Sequence, residues 1–347
     1  MGAVHDLIEQ RGKQAALLAE ADRKSVEAAA SYLGDEDPAI GFLYSGWCQA
    51  ALPHKRLADD EEWQIRSDYV NMLVQPGLRT SNVGRAEKVG VPYGSRARLI
   101  MFYVQSEALR TTSREVSLGR SMNAWLHRMG IPQGGKSNHS IRDQAERISR
   151  CSFTFDGKGA KAGAVARMTI FDRAIFTDVD EPPGQGSLFP QVATLSEQFF
   201  RQLADHPVPL EEAAVRAINN NSMALDLYAW LAYRLHVLKG VTSVSWTALK
   251  GQFGGGFDNM FHFRPTFADN LRLAMAVYRD AHVAVTERGV DLFPSRPPVS
   301  PRQVSIGRVL GIQKPETIKQ TVLVSASKGA TRDRPARRAE AQDERHL

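Results

Sequence analysis

Residues 91–151, VPYGSRARLIMFYVQSEALRTTSREVSLGRSMNAWLHRMGIPQGGKSNHSIRDQAERISRC, decide the fold. From Ser95 to Leu109, Ala97, Ile100, Met101, Val104 and Ala108 recur at helical spacing. They predict a helix that buries this face, with Ser95 as N-cap and Arg96, Arg98 and Glu107 pointing away. Thr111, Thr112 and Ser113 break the pattern, and Glu115 to Leu118 alternate as in a short strand. Met122, Trp125, Leu126 and Met129 define a second helix, stopped by Gly130 and Pro132. A third is expected from Asn138, burying Ile141, Ala145 and Ile148 and presenting Ser140, Arg142, Gln144 and Arg147. Between Ser95 and Arg150 ten Lys or Arg face four Asp or Glu, an excess equal to the +6 of the whole chain. Phosphate binding needs such a local excess, and base reading needs Arg, Asn, Gln and Ser on a helix that fits the major groove. The plainer alternative is a solvated helix face.

Phe153 and Phe155 predict a strand, Gly157 to Gly163 a turn carrying Lys158 and Lys161, and Met168, Ile170 and Phe171 a returning strand. Three helices followed by a hairpin with a basic tip is the order of a winged helix. The pattern recurs. Ser222 opens a helix burying Leu225, Tyr228, Leu231, Ala232, Leu235 and Leu238; Val241 to Trp246 is extended; Thr247 to Phe253 makes a second helix. A third is expected from Pro265, a favoured first-turn residue, and Val283 to Phe293 forms the hairpin. First-helix start to third-helix start is 43 residues in both units, Ser95 to Asn138 and Ser222 to Pro265. Tandem units on one duplex lengthen the site and add their binding energies.

The fold class expected is therefore helix-rich α+β: two tandem winged-helix domains, 61–177 and 188–300, joined by a linker at 178–187 that lies within DVDEPPGQGS. Residues 1–60 form an N-terminal extension. Its first part reads as a solvated or partner-binding helix, with dimerisation a lesser alternative. Phe42, Leu43, Tyr44, Trp47 and Leu52 are tucked against something, and Trp63 to Val74 make a strand or hairpin on the first unit. Residues 301–347 form a basic tail expected to be disordered.

The 43% apolar content supports a real core, and a pI near 9.3 favours a polyanionic partner. Cys48 and Cys151 are too far apart for a metal or redox motif and read as free core thiols in a reducing cytosol. No window approaches 18 apolar residues, so neither secretion nor membrane insertion is expected.

One motif points elsewhere. Gly130 to Ser137, GIPQGGKS, satisfies G-x-x-x-x-G-K-[ST]. A phosphate-binding loop requires a buried strand feeding the glycines. Residues 121–129 are instead helical in pattern, Pro132 removes a donor, and no βαβ series surrounds the motif; a turn between helices fits better. H-x-H does not occur among the nine histidines, so metal-assisted nicking is not expected, nor is a cofactor or a catalytic residue.

Residues 91–131, with SMALDLYAWLAYRLHVL, VSWTALKGQFG, FRPTFADNLRLAMAVY and SRPPV further on, resemble the plasmid-encoded RepA replication initiators of broad-host-range bacterial plasmids, in matching order from about Trp63 to Val299. The resemblance implies binding to repeated double-stranded sites (iterons) at a plasmid origin, origin opening, recruitment of host proteins such as the host initiator and helicase, and repression of the initiator's own promoter. It implies a cytoplasmic, plasmid-associated protein, with homodimers a recurring form. A repressor of the same fold without an origin role is the alternative. From helix phase, the expected base contacts are Asn138, Ser140, Arg142, Gln144, Arg147, Thr266, Asn270 and Arg272. The expected phosphate contacts are Arg120, Lys136, Lys158, Lys161, Lys250 and Arg264.

Overall fold

The structure of the chain, a computed structural model, describes residues 2–19, 22–37, 39–67, 70–80, 84–157, 165–173 and 191–301. In chain order, α1 (Gly2–Ala19) kinks at Gly12, where φ is 80°, and α2 (Arg23–Leu33) starts where the Asp22 side chain accepts the Ser25 N–H. There follow β1 (Ile40–Tyr44), β2 (Trp63–Arg66), β3 (Val70–Gln75), β4 (Gly77–Thr80) and β5 (Ala86–Val89). The first helical unit is α3 (Gly94–Thr111), β6 (Glu115–Ser117), α4 (Met122–Arg128), α5 (Gly135–Arg150), β7 (Ser152–Gly157) and β8 (Val165–Met168). A connector holds β9 (Val192–Thr194), α6 (Glu197–Asp205), β10 (Pro207–Glu211) and α7 (Glu212–Ala217). The second unit is α8 (Ser222–Arg234), β11 (Thr242–Ser245), α9 (Trp246–Phe253), α10 (Met260–Met275), β12 (Val283–Val285) and β13 (Gly289–Leu292).

The result is a helix-rich α+β fold with small antiparallel sheets. In the second unit β11 joins its own hairpin in the order β11–β13–β12. Gly289 allows this closure, because a Cβ there would lie 1.9 Å from the Val244 carbonyl oxygen. In the first unit the hairpin β7–β8 instead extends a sheet in the order β2–β3–β7–β8, while β6 pairs with β9. The alternation of Val70, Met72 and Val74 is what buries one face of β3. The segment holding Phe42 and Tyr44 is β1, paired with β10 between the two units.

Several expectations are corrected. Arg98 does not point to solvent: α3 packs against α8, so Arg98 is buried and paired with Asp226, with Nη2 to Oδ2 at 2.7 Å. The third helices begin earlier than expected, α5 at Gly135 rather than Asn138 and α10 at Met260 rather than Pro265, so the equal spacing of helix starts does not hold. Asn259 caps α10 by accepting the His262 N–H at 3.0 Å, and Pro265 lies inside the helix. α1 and α2 do not stand free of the second unit: His5 is buried with its Nε2 2.8 Å from the Ala276 carbonyl, and Arg279 donates to Asp6 and Glu9, while residues 9–14 of α1 stay exposed. The expected linker at 178–187, the hairpin tip with Lys158 and Lys161, and the tail from 302 lie outside the described residues. Cys48 and Cys151 are both buried, and burial pushes the Cys151 thiol up to about 11.

The core runs through both units without a break. At their junction the Arg98 guanidinium also donates to the Leu52, Pro53 and Gly94 carbonyls. His54 sits beside this pair. Its Nε2 faces the Phe253 carbonyl at 3.2 Å and must carry the proton, leaving Nδ1 to accept from the Ser222 hydroxyl at 3.1 Å. Burial, reinforced by the Arg98 charge, lowers the His54 pKa to about 4.

Candidate nucleic-acid interface

α5 is the more polar third helix. Its inner face, Ile141, Ala145 and Ile148, is fully buried, as the spacing predicts. Lys136 and His139 are exposed on its first turns, and Asn138, Ser140 and Arg142 are half-buried beside them. The Asn138 Oδ1 atom is buried with no hydrogen-bond partner.

Gln144 and Arg147 do not join this surface, which corrects their expected role in reading bases. Arg147 shares the helical phase of Lys136, Ser140 and Asp143, but only 3% of it is exposed. Its guanidinium bonds Asp143 at 2.8 Å and Asp59 at 3.1 Å and lies 5.4 Å from the Tyr93 ring centroid. Burial pushes Asp59 up, yet the charges and hydrogen bonds of Arg147 and Arg56 together outweigh it and hold the carboxyl below its ordinary range. The Gln144 Oε1 atom accepts the Tyr93 N–H at 2.8 Å. What covers both is the chain leading into α3. Gly90 allows its approach, because a Cβ there would meet Arg147 Nη1 at 2.4 Å. The β4–β5 hairpin covers the last turn of α5, with Arg150 donating to the Leu78 carbonyl and Arg79 paired to Glu146. This hairpin has no counterpart in the sequence-based expectation. Its polar, charged strands carry no apolar alternation to reveal it.

α10 presents a comparable surface. Phe263, Phe267 and Leu271 anchor its inner face, and Phe261, Arg264, Pro265, Asp269 and Arg272 are exposed on the other. The Arg264 guanidinium lies 5.7 Å from the Trp246 ring centroid. The Trp246 indole N–H in turn donates to the Thr286 and Glu287 carbonyls of the β12–β13 turn, at 3.3 and 3.1 Å. One tryptophan thus ties the third helix, the start of α9 and the hairpin turn into a single surface.

Thr266 and Asn270 spend their donors along their own helix, on the His262 and Thr266 carbonyls. Arg272, expected to read a base, is instead ion-paired with Asp269 and with Asp22, the cap of α2, at 3.5 Å. Phe261 escaped notice because the helix was started at Pro265; Asn259, a strong capping type, was the signal that would have placed it on α10.

Arg120 is exposed ahead of α4, and Lys250 is half-buried on α9, lining a cleft with Gln64, Arg66 and Met260. Among the described residues no carboxylate pairs with Arg120, Lys136, Lys250 or Arg264. Lys158 and Lys161 lie outside the described residues. The GIPQGGKS stretch follows a helix, α4, and enters α5; its Gly130 carbonyl accepts the Asn219 side-chain N–H at 2.8 Å. No βα phosphate-binding turn is formed there. Among the described residues there is no cluster of three or more His, Cys, Asp or Glu able to hold a metal ion, and no helix long and apolar enough to cross a membrane.

In both units, then, the N-terminal half of the third helix is open and bears a cation with no carboxylate partner among the described residues; the C-terminal half of α5 is covered, whereas on α10 Asp269 and Arg272 stay exposed, with Arg272 tied to Asp22 of the α2 cap. Residues 91–247 match the family model described as plasmid encoded RepA protein. No curated protein sequence matches the chain. Among solved structures it is similar to domains 2 and 3 of RctB, crystallised as selenomethionine derivatives, with a TM-score of 0.47 and 14% identity over 72% of this chain and 98% of that one. A second crystal structure of RctB domains 2–3 gives a TM-score of 0.43 and 14% identity over 76% of this chain and 98% of that one.

Proposed function

We propose that this chain, whose residues 91–247 match the family model of plasmid encoded RepA protein, is a replication initiator that binds repeated double-stranded sites at a plasmid origin through two winged-helix units. The observation that carries this reading is the shared exposure pattern of α5 and α10. Each keeps the half that would enter a major groove open and cationic, and each has the rest of its length fixed by neighbouring chain. The order helix, strand, helix, helix, hairpin in both units supports the winged-helix assignment, most directly in the second unit, where the intervening strand joins its own hairpin.

Lys136 and Arg120 of the first unit, and Arg264 and Lys250 of the second, would hold phosphates and set the register. Lys158 and Lys161, outside the described residues, belong to the same proposed set of phosphate contacts. Asn138, Ser140 and Arg142 are placed to reach base edges, with Thr266 and Asn270 at the flank of α10. Opening of the origin, recruitment of host replication proteins and repression of the protein's own promoter follow from the family reading. So does a cytoplasmic, plasmid-associated location.

The test is genetic and biochemical. A plasmid carrying only this gene and its flanking DNA should replicate when the gene is intact and fail when it is interrupted. The purified chain should retard a flanking duplex that contains direct repeats and release it steeply as salt rises. Replication that is indifferent to the gene would remove the initiator role. Binding that does not prefer the repeats would remove sequence reading.

A further inference from the structure

Phe261 is 81% exposed, on the first turn of α10. The helix cannot roll to hide it. Phe263 and Phe267, both fully buried, lock the opposite face, with Phe267 edge-on to Trp246 at 5.8 Å between centroids. The Asn259 cap fixes where the helix begins. Phe261 touches His262, at 5.2 Å between ring centroids, and stands beside Arg264 and Pro265. The central strip of this outward face is therefore apolar, since Pro265 has no amide donor and Phe261 no polar atom. Arg264, pinned on the Trp246 indole, stands at its edge, and no carboxylate opposes it.

An apolar strip bordered by a fixed cation complements a base edge bordered by phosphate. In the major groove the one base feature that a phenyl ring can read is the C5 methyl group of thymine. We infer that Phe261 is a specificity-determining contact of the second unit, packing on a thymine methyl while Arg264 holds an adjacent phosphate. The inference rests on the DNA-binding reading above and adds to it one base and one residue.

The test uses the full chain and a duplex that the wild-type protein selects from a randomised pool. Each thymine of that duplex is then replaced singly by deoxyuridine, which removes only the methyl group. The wild type should bind about fourfold more weakly at one position, the equivalent of one buried methyl. Phe261→Ala should bind the thymine and deoxyuridine duplexes alike, while Phe261→Leu keeps part of the preference. Deoxyuridine that is neutral everywhere for the wild type, or a penalty that survives in Phe261→Ala, would overturn the inference while leaving sequence-specific binding intact. Failure to select any sequence would remove the underlying reading. If Phe261→Ala leaves the discrimination unchanged and instead turns a dimer into a monomer in sedimentation, the ring serves a second copy of the chain and the thymine contact is wrong.

Discussion

The two helical units run through the same order of elements, yet they close in different ways. The second finishes its sheet from its own chain, β11 pairing with β13. The first lends its hairpin to β3 and β2 and leaves β6 to pair with β9, three residues that come after the unit has ended. The second unit is therefore self-contained in its sheet, while the first is assembled from chain on both sides. Chain from outside the helical series therefore sets how much of a third helix stays open: the β4–β5 hairpin and the lead into α3 cover the C-terminal half of α5. On α10 the neighbouring chain is α2 rather than a hairpin, and it touches Arg272 through Asp22 while leaving Asp269 and Arg272 exposed.

If the units are locked by the buried pair between α3 and α8, breaking that pair has the largest effect. Asp226→Ala leaves Arg98 uncompensated in the interior and should cost about 3–5 kcal/mol in urea unfolding. Replacing both partners, Arg98→Met with Asp226→Leu, should restore part of it, because the buried charge is gone although the Leu52, Pro53 and Gly94 carbonyls lose their donor. Equal losses for the single and the double variant would mean that the pair is not what matters there.

The same junction gives a pH dependence. His54 has a folded pKa of about 4 against roughly 6.5 unfolded, so between those values the unfolded chain binds more protons. Its contribution is complete above about pH 6.5 and is lost as the pH falls toward 4, by about 3 kcal/mol. The wild type should lose more stability than His54→Gln between pH 7 and pH 4.5; parallel curves would contradict the buried neutral histidine.

A smaller effect separates structure from reading within α5. Arg147→Ala should destabilise the fold by about 2 kcal/mol through lost bonds and packing, while the folded protein keeps its base preference. Arg142→Ala should change preference at one base position, which Arg147→Ala leaves intact. A changed preference in Arg147→Ala would show that its cover opens on DNA.

Much of this was legible in the sequence because helices announce themselves by spacing. Met122, Trp125, Leu126 and Met129 are all buried as their periodicity requires, and Ser121 caps α4 through the Ala124 N–H. The resemblance to plasmid RepA proteins was visible in residues that the family model matches. What stayed hidden was tertiary. Arg98 and Arg147 look like surface cations in any local window, and only the approach of Asp226 and Asp59 from distant chain makes them interior. Helix starts failed where a proline in the sixth position of α10 outweighed the nearby Asn259 cap in the reading.

Hydroxyl-radical footprinting on a selected site asks whether two separate helix halves contact one duplex. The wild type should protect two backbone patches; Lys136→Ala should weaken only the first and Arg264→Ala only the second, each lowering the salt slope by about 0.9. A single patch, or two patches that fade together in either variant, would contradict contact by two separate helix halves.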